Sequence, residues 1–160
     1  TIYTNLKAYS NCYDEDGFAL AAPFVYSNIN TLNIEAINND TIFDLNAESG
    51  LGFSSFNDIN IKEGITEMGK ATFSLTAINS SLLLPNSLEI INSNAFAFTN
   101  GKEDITVTIP DNVKYIGDNA FRWWKNTTTI KFTRTEAEVK KQVTLGNNWN
   151  HNAQVIYAES

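Results

Sequence analysis

Residues 113–121 read Val-Lys-Tyr-Ile-Gly-Asp-Asn-Ala-Phe, and the same pattern occurs at two earlier places in the chain. One copy ends at Phe96 and the other at Phe73, so the terminal phenylalanines lie 25 and 23 residues apart. A pattern that returns at so regular a spacing predicts a stack of similar coils, in which each coil packs mainly on its neighbours.

A short apolar alternation precedes each copy and continues beyond the last one. Two apolar residues flank a single intervening residue, which is typical of a short strand with one buried face. The first apolar residues of these units are Ile59, Leu82, Val107, Ile130 and Val155. Pro85 and Pro110 directly follow two of the units and end them, because proline lacks an N–H and fixes φ. We therefore expect five strands at near-constant spacing.

The segments between the strands predict turns and short helices. Ser93 and Asp118 are good N-caps for a helical turn that carries Ala-Phe, and the phenylalanine should fill the core of each coil. In the fourth coil, Thr135 and Glu138 have the spacing of a capping box. This spacing predicts a short helix over residues 136–143.

The N-terminal third departs from the repeat. We expect residues 1–54 to form an N-terminal cap with some extended structure, and residues 55–160 to form the solenoid with a capping coil at its end. Leu32-Asn33-Ile34 fits an earlier strand, because it lies 27 residues before the strand at Ile59. Since atypical terminal segments cover the open ends of such a stack, we expect one compact domain and a monomer.

The segment from Val107 to Phe121 resembles the BspA-like leucine-rich repeats of bacterial surface proteins. Residues 82–96 match nearly as well, with Asn92 in the glycine position, and residues 59–73 match less well. The resemblance implies an α/β solenoid: a short leucine-rich-repeat stack with one parallel sheet face, short helical or 3-10 convex segments and an irregular N-terminal cap. It also implies a secreted or cell-surface location.

Composition excludes several classes of partner. The chain has 160 residues and a net charge of −7, whereas a nucleic-acid-binding protein needs a basic footprint. No apolar run approaches the ~20 residues that cross a bilayer, so we expect no membrane insertion. Cys12 and His151 are single, which leaves a metal site few ligands, and Asp14-Glu15-Asp16 lacks the further ligands of a calcium loop. We expect no metal, no cofactor and, without a recognisable catalytic motif, no enzymatic activity.

The outward side chains of the predicted strands are candidates for binding, because the sheet face of a solenoid commonly contacts partners. These candidates are Asn60, Leu83, Thr106, Thr108, Thr129 and Lys131. Leu83 and a further outward residue, Ile156, are apolar and would mark a contact patch. The alternative is a solvated polar sheet surface without a ligand.

The most aromatic stretch is Arg122-Trp123-Trp124-Lys125. The second residue after the phenylalanine is apolar in every copy, which indicates that Trp123 packs inside. The third residue is threonine in the other two copies, so Trp124 is the exception, although the family pattern usually buries this position. An exposed Trp124 would stack on a sugar or anchor a protein contact. Packing in the core or the cap is the favoured interpretation.

The sequence as a whole favours a non-enzymatic, secreted or cell-surface binding module, adhesin-like, that contacts protein partners through the sheet face. One alternative is a carbohydrate-binding module or the accessory domain of a glycan-processing protein. Another is a structural spacer that positions a neighbouring domain.

Overall fold

The computed structural model describes residues 2–3, 28–36, 41–44, 51, 53–101, 104–124 and 128–160. They form a parallel β-solenoid of about five turns. The elements in chain order are β1 Ile2–Tyr3, β2 Asn28–Glu35, β3 Ile42–Phe43, β4 Ser55–Ile61, β5 Glu67–Met68, β6 Ala77–Ile78, β7 Leu82–Leu83, β8 Ile90–Ile91, β9 Asn100–Gly101, β10 Thr106–Ile109, β11 Tyr115–Ile116, β12 Thr129–Phe132, α1 Glu136–Gln142, β13 Thr144–Leu145 and β14 Gln154–Ile156.

The front face of the solenoid contains the longer strands, which pair in parallel from coil to coil. Its two sheets have the orders β1-β2-β4-β6-β9 and β14-β12-β10-β7, and β7 also contacts β4. In two coils the front strand is interrupted. One of these coils contains β6 and β7, and the other contains β9 and β10. The strands predicted from the apolar alternation are confirmed: their first apolar residues lie in β4, β7, β10, β12 and β14.

A second set of parallel strands runs along another side of the solenoid. These strands have only two residues each and the order β13-β11-β8-β5-β3. Their buried members include Met68, Ile91 and Ile116, each three residues after the first apolar residue of a repeat copy. The expectation of one parallel sheet face is therefore wrong, because parallel strands line two sides of the coil.

The third side consists of turns rather than helices. The turn over residues 93–98 holds two residues with positive φ, Asn94 at 57° and Phe98 at 55°. Left-handed residues four positions apart cannot belong to a right-handed helix. The N–H groups alternate in their partners: Phe96 N donates to Ala120 O of the next coil over 2.8 Å, whereas Ala97 N donates within the turn to Asn94 O over 2.9 Å. The expected helical convex segments, and the α/β class with them, are therefore not confirmed: the described residues contain a single helix.

The repeated phenylalanines form a column along the solenoid, which we call the phenylalanine column. The rings of Phe73 and Phe96 are 5.2 Å apart and 4° from parallel, and those of Phe96 and Phe121 are 5.3 Å apart and 2° from parallel. All three side chains are fully buried, as the sequence predicted. Their separation is close to the ~4.8 Å between neighbouring strands, so each ring rests on the ring of the adjacent coil.

The fourth coil contains the predicted helix, α1. Both halves of its capping box are present: Glu138 N donates to the Thr135 hydroxyl, and Thr135 N donates to the Glu138 carboxylate. Glu136 and Lys140 form an ion pair of 2.7 Å one turn apart. Val139 is buried and attaches the helix to the core. A local signal of two residues therefore located the helix start correctly.

The stack begins before residue 55. β2 pairs in parallel with β4, with Leu32 beside Ile59, and both Leu32 and Ile34 are buried. The earlier strand expected at Leu32-Asn33-Ile34 is confirmed, and the regular stack crosses the boundary expected between residues 54 and 55. The acidic stretch Asp14-Glu15-Asp16 lies outside the described residues.

Candidate functional site

The outward side chains of the front face form a continuous row, as the repeat register predicted. Leu83 lies beside Thr108, Thr108 beside Lys131, and Lys131 beside Ile156. A second row, two residues earlier in each strand, contains Thr106, Thr129 and Gln154. Leu83 is the most exposed large apolar side chain described, with 75 % of its surface accessible. The face is thus polar, with apolar side chains at two places.

Asn60, the remaining predicted member of this face, takes part in a side-chain ladder. Its amide donates to the Asn33 carbonyl oxygen over 3.1 Å and to the Asp58 carboxylate over 3.2 Å. A parallel ladder joins Asn30, Asn57 and Asn79 through amide contacts of 3.3 Å each. Stacked amides donate to one neighbour and accept from the other, which ties successive coils together. The asparagines of the front face therefore have a structural role besides their use in turns.

A shallow depression of about 260 Å³ lies beside Leu83, where the front strands end. Thr108 borders it on the next strand, and Pro85 and Pro110 form part of its wall. Because the prolines fix the backbone on this side, the depression has a rigid, largely apolar border.

Glu63 also borders this depression, but its carboxylate is committed to a turn. Its two oxygens accept hydrogen bonds from the backbone N–H groups of Asn86 and Ser87, each over 2.9 Å. These bonds stabilise the charged form and hold the pKa of the Glu63 carboxyl below its ordinary value. Glu63 therefore fastens one coil to the next and is not placed for proton transfer.

Trp124 is buried, with 4 % of its surface exposed, so the favoured interpretation of core packing is confirmed and the alternative of an exposed aromatic contact is wrong. Its ring meets Phe96 and Phe121 edge-on, with centroids 6.3 and 5.8 Å away. Its indole N–H donates to the Phe96 carbonyl oxygen. Thr99, at the equivalent position of the preceding coil, donates to the same oxygen over 2.7 Å. The third position after the phenylalanine thus holds a buried donor, whether hydroxyl or indole.

The second position after the phenylalanine is exposed, which corrects the expectation that Trp123 packs inside. Trp123 is 50 % and Phe98 45 % accessible, and their rings stack with centroids 6.2 Å apart. Leu75 and Phe53 are exposed at the corresponding turns of earlier coils, and the ring of His151 lies 4.9 Å from that of Trp123. We call this row, Phe53, Leu75, Phe98, Trp123 and His151, the apolar ridge. The sequence does not indicate this ridge, because an apolar residue at a repeated position is normally buried.

The acidic side chains of the repeat connect neighbouring coils. Glu67 accepts a hydrogen bond from the Asn92 amide over 2.7 Å, and Glu89 forms an ion pair of 2.9 Å with Lys114. Among the described residues, no group of three or more His, Cys, Asp or Glu side chains is arranged to hold a metal ion. Within the same part of the chain, no helix has the length and apolarity to cross a membrane.

Comparison with known proteins agrees with this architecture. No curated protein and no solved structure matches the chain significantly. The model of the BspA type leucine rich repeat region matches residues 21–148 in six copies, which is most of the chain and includes residues 21–54. The chain therefore belongs to the BspA-type leucine-rich repeat family.

Proposed function

We propose that this protein is a non-enzymatic binding module that contacts a protein partner through the front face. Leucine-rich repeats of this family are generally binding scaffolds without catalytic activity. An adhesin-like contact, with the module secreted or displayed on a cell surface, is part of the proposal. The family resemblance to bacterial surface proteins supports that location. We propose further that the module acts as a monomer and binds neither nucleic acid nor membranes.

The observation that carries the proposal is the exposure of Leu83 on a polar sheet. The side chain has 75 % of its surface accessible, and its burial by a partner would lower the free energy of the complex. The depression beside it offers a concave surface for an apolar side chain of that partner. Thr108 and Lys131 continue the same row with a hydroxyl and a cation, which would supply the polar rim of a contact.

A glycan ligand is the less favoured alternative. The sugar platform considered from the sequence was Trp124, and its ring is covered on several sides within the core. A sugar stacks on a free aromatic face, and a buried ring offers none. The front face itself has no aromatic residue in the row from Leu83 to Ile156.

The test measures binding of the chain to a panel of purified extracellular matrix and serum proteins by surface plasmon resonance, beside a glycan array. For any protein that binds, Leu83→Asn and the double variant Thr108→Ala/Lys131→Ala should each weaken the affinity at least about tenfold, which corresponds to ~1.4 kcal/mol. The matched control is Lys141→Ala, which removes an exposed lysine from α1 and should leave the affinity unchanged.

Three results would contradict the proposal. Equal binding by the front-face variants and the control would remove the front face as the contact. Binding confined to the glycan array would favour the carbohydrate-binding alternative. Absence of binding to every protein and glycan tested would favour a structural spacer.

A further inference from the structure

The apolar ridge has a backbone geometry that its side chains disfavour. Leu75, Phe98 and Trp123 have φ values of 61°, 55° and 65°, in the left-handed region. Bulky residues are rare there, because the Cβ atom approaches the carbonyl oxygen, and glycine or asparagine is normally found instead. Replacement of any of these residues by asparagine would therefore relieve backbone strain.

The same turns contain a second left-handed position, which is asparagine in two of the three turns and Ala71, with φ 55°, in the third. Asn94 and Asn119, two residues before the phenylalanines of their coils, have φ values of 57° and 55°. Asparagine tolerates this conformation because its short side chain bonds the local backbone. The turn geometry is thus compatible with asparagine, and the chain nevertheless places large apolar side chains at the exposed left-handed position. Unfavourable geometry retained at exposed apolar residues points to a functional requirement.

A cation lies against the ridge. The Arg122 guanidinium is 5.9 Å from the ring centroid of Phe98 and 5.3 Å from that of Trp123. Among the described residues, no carboxylate lies within ion-pair distance of Arg122, whereas Lys114 and Lys140 each have an acidic partner. A guanidinium held over aromatic rings in this way retains its donors for an incoming carboxylate.

We propose that the apolar ridge is a second docking surface, separate from the front face, for a protein segment that carries apolar side chains and at least one carboxylate. The apolar side chains of the segment cover Leu75, Phe98 and Trp123, and its carboxylate pairs with Arg122. The partner should carry a negative charge at this point, because the charged side chain that contacts the ridge rings is the cation Arg122.

The ring geometry disfavours a sugar at this surface. Phe98 and Trp123 are 17° from parallel and stacked on each other, and the second neighbour of Trp123 is the His151 ring. Their faces are directed along the solenoid, toward neighbouring rings, which leaves mainly ring edges for a ligand. A second copy of the chain is disfavoured as well, since it would bring another cationic ridge against Arg122.

The test selects ligands from a phage-displayed library of random peptides of about ten residues, long enough at ~3.3 Å per residue to follow several coils. The selection uses the intact chain. Enriched peptides should combine apolar residues with Asp or Glu. For a synthetic labelled peptide followed by fluorescence anisotropy, replacement of its acidic residue by the matching amide should weaken binding at least about tenfold. Trp123→Asn and Arg122→Gln should weaken binding by a similar factor.

A stability measurement separates docking from packing. Trp123→Asn removes a ridge side chain but suits the left-handed backbone, so relief of the backbone offsets the lost burial and its melting temperature should stay close to that of the unaltered chain. Lys141→Gln serves as the matched control for Arg122→Gln: it removes an exposed cation from α1 and should leave the peptide affinity unchanged.

The proposal is overturned if no peptide is enriched, or if enriched peptides lack acidic residues. It is equally overturned if Trp123→Asn binds as tightly as the unaltered chain, or if this variant melts distinctly earlier, which would show a packing role. A dimer that Trp123→Asn dissolves would identify a second copy as the occupant. Direct binding of a soluble acidic polysaccharide, without peptide binding, would identify a glycan as the ligand and overturn the proposal.

Discussion

Replacement of Phe96 by alanine should destabilise the protein severely, because this ring occupies the centre of the phenylalanine column. It is fully buried and stacks on Phe73 at 5.2 Å and on Phe121 at 5.3 Å, with Trp124 packed on its edge. Truncation of a buried phenylalanine costs ~3–5 kcal/mol through lost burial and the remaining cavity. Two stacked neighbours lose their partner as well, so we expect the upper part of this range.

The same coil provides a matched control, Phe98→Ala. Phe98 lies two residues along the chain and is 45 % accessible, so its truncation leaves no enclosed cavity. Full burial of a phenylalanine stabilises by ~1.5–3 kcal/mol, and about half of that burial applies here. We therefore expect Phe98→Ala to cost about 1 kcal/mol. The two substitutions delete the same atoms and differ in their surroundings alone.

Urea unfolding followed by circular dichroism measures both costs, and the slope of the transition shows whether the unfolded states are comparable. In a thermal melt, the Phe96 variant should lose on the order of 10 °C. Equal destabilisation by the two variants would refute the assignment of one phenylalanine to the core and the other to the surface. A Phe98 variant less stable than the Phe96 variant would reverse the repeat register.

Three further effects follow from local contacts. Thr135→Ala should cost about 1 kcal/mol near neutral pH, because it removes the N-cap of α1. Hydrogen bonds from Thr135 hold the pKa of the Glu138 carboxyl below its ordinary value. The stabilisation by the ionised Glu138 carboxylate is therefore complete above the pKa of the unfolded carboxyl and is lost as the pH falls through the lower folded value. Acid titration of the melting temperature measures this loss. Gly117→Ala should cost ~1–3 kcal/mol in urea unfolding, because the added Cβ would lie 2.5 Å from Ser93 N. Trp124→Phe should cost about 1 kcal/mol and remove the tryptophan emission least quenched by acrylamide.

Each of these predictions has a control in the chain. Lys141→Ala removes an exposed lysine of α1 without touching the capping box and should leave the acid titration unchanged. Lys131→Ala, on the exposed front face, should not shift the urea midpoint as Gly117→Ala does. Trp123→Phe should remove the readily quenched emission instead of the protected one. Identical results for a variant and its control would contradict the contact assigned to that variant.

The parts of the fold that were predictable depend on local or strictly repeated signals. The strand positions followed from apolar alternation at a fixed spacing, and the start of α1 followed from Thr135 and Glu138 alone. The phenylalanine column followed from three copies of one pattern. In each case, burial and hydrogen bonding agree with the preference of the residues concerned, so sequence and structure indicate the same answer.

The parts that were not predictable depend on backbone conformations that these residue types rarely adopt. Leu75, Phe98 and Trp123 adopt left-handed φ values although none of them is glycine or asparagine. Because of that geometry, the side chain two residues after the phenylalanine points outward and the side chain three residues after it points inward. The sequence indicated the wrong side for Trp123, since apolar character alone does not distinguish a buried position from an exposed one, whereas the burial favoured for Trp124 is confirmed.

The candidate site was predictable in its rows but not in its contacts. The outward order of Leu83, Thr108 and Lys131 followed directly from the register. The hydrogen bond of Asn60 in a ladder of amides could not be predicted from the register. It depends on Asn33, which lies in a strand that the repeat pattern indicated only weakly. The apolar ridge escaped prediction for the same geometric reason as Trp123.

The register of the phenylalanine column implies that the length of the molecule is adjustable by whole coils. A tandem duplication of residues 88–112 would insert one complete period between Asn112 and Val113, with matching backbone partners on both sides. The molecule would lengthen by ~4.8 Å. The insert would extend the column by one phenylalanine and the apolar ridge by a second Phe98, so the contact area of this surface would grow in proportion to gene length.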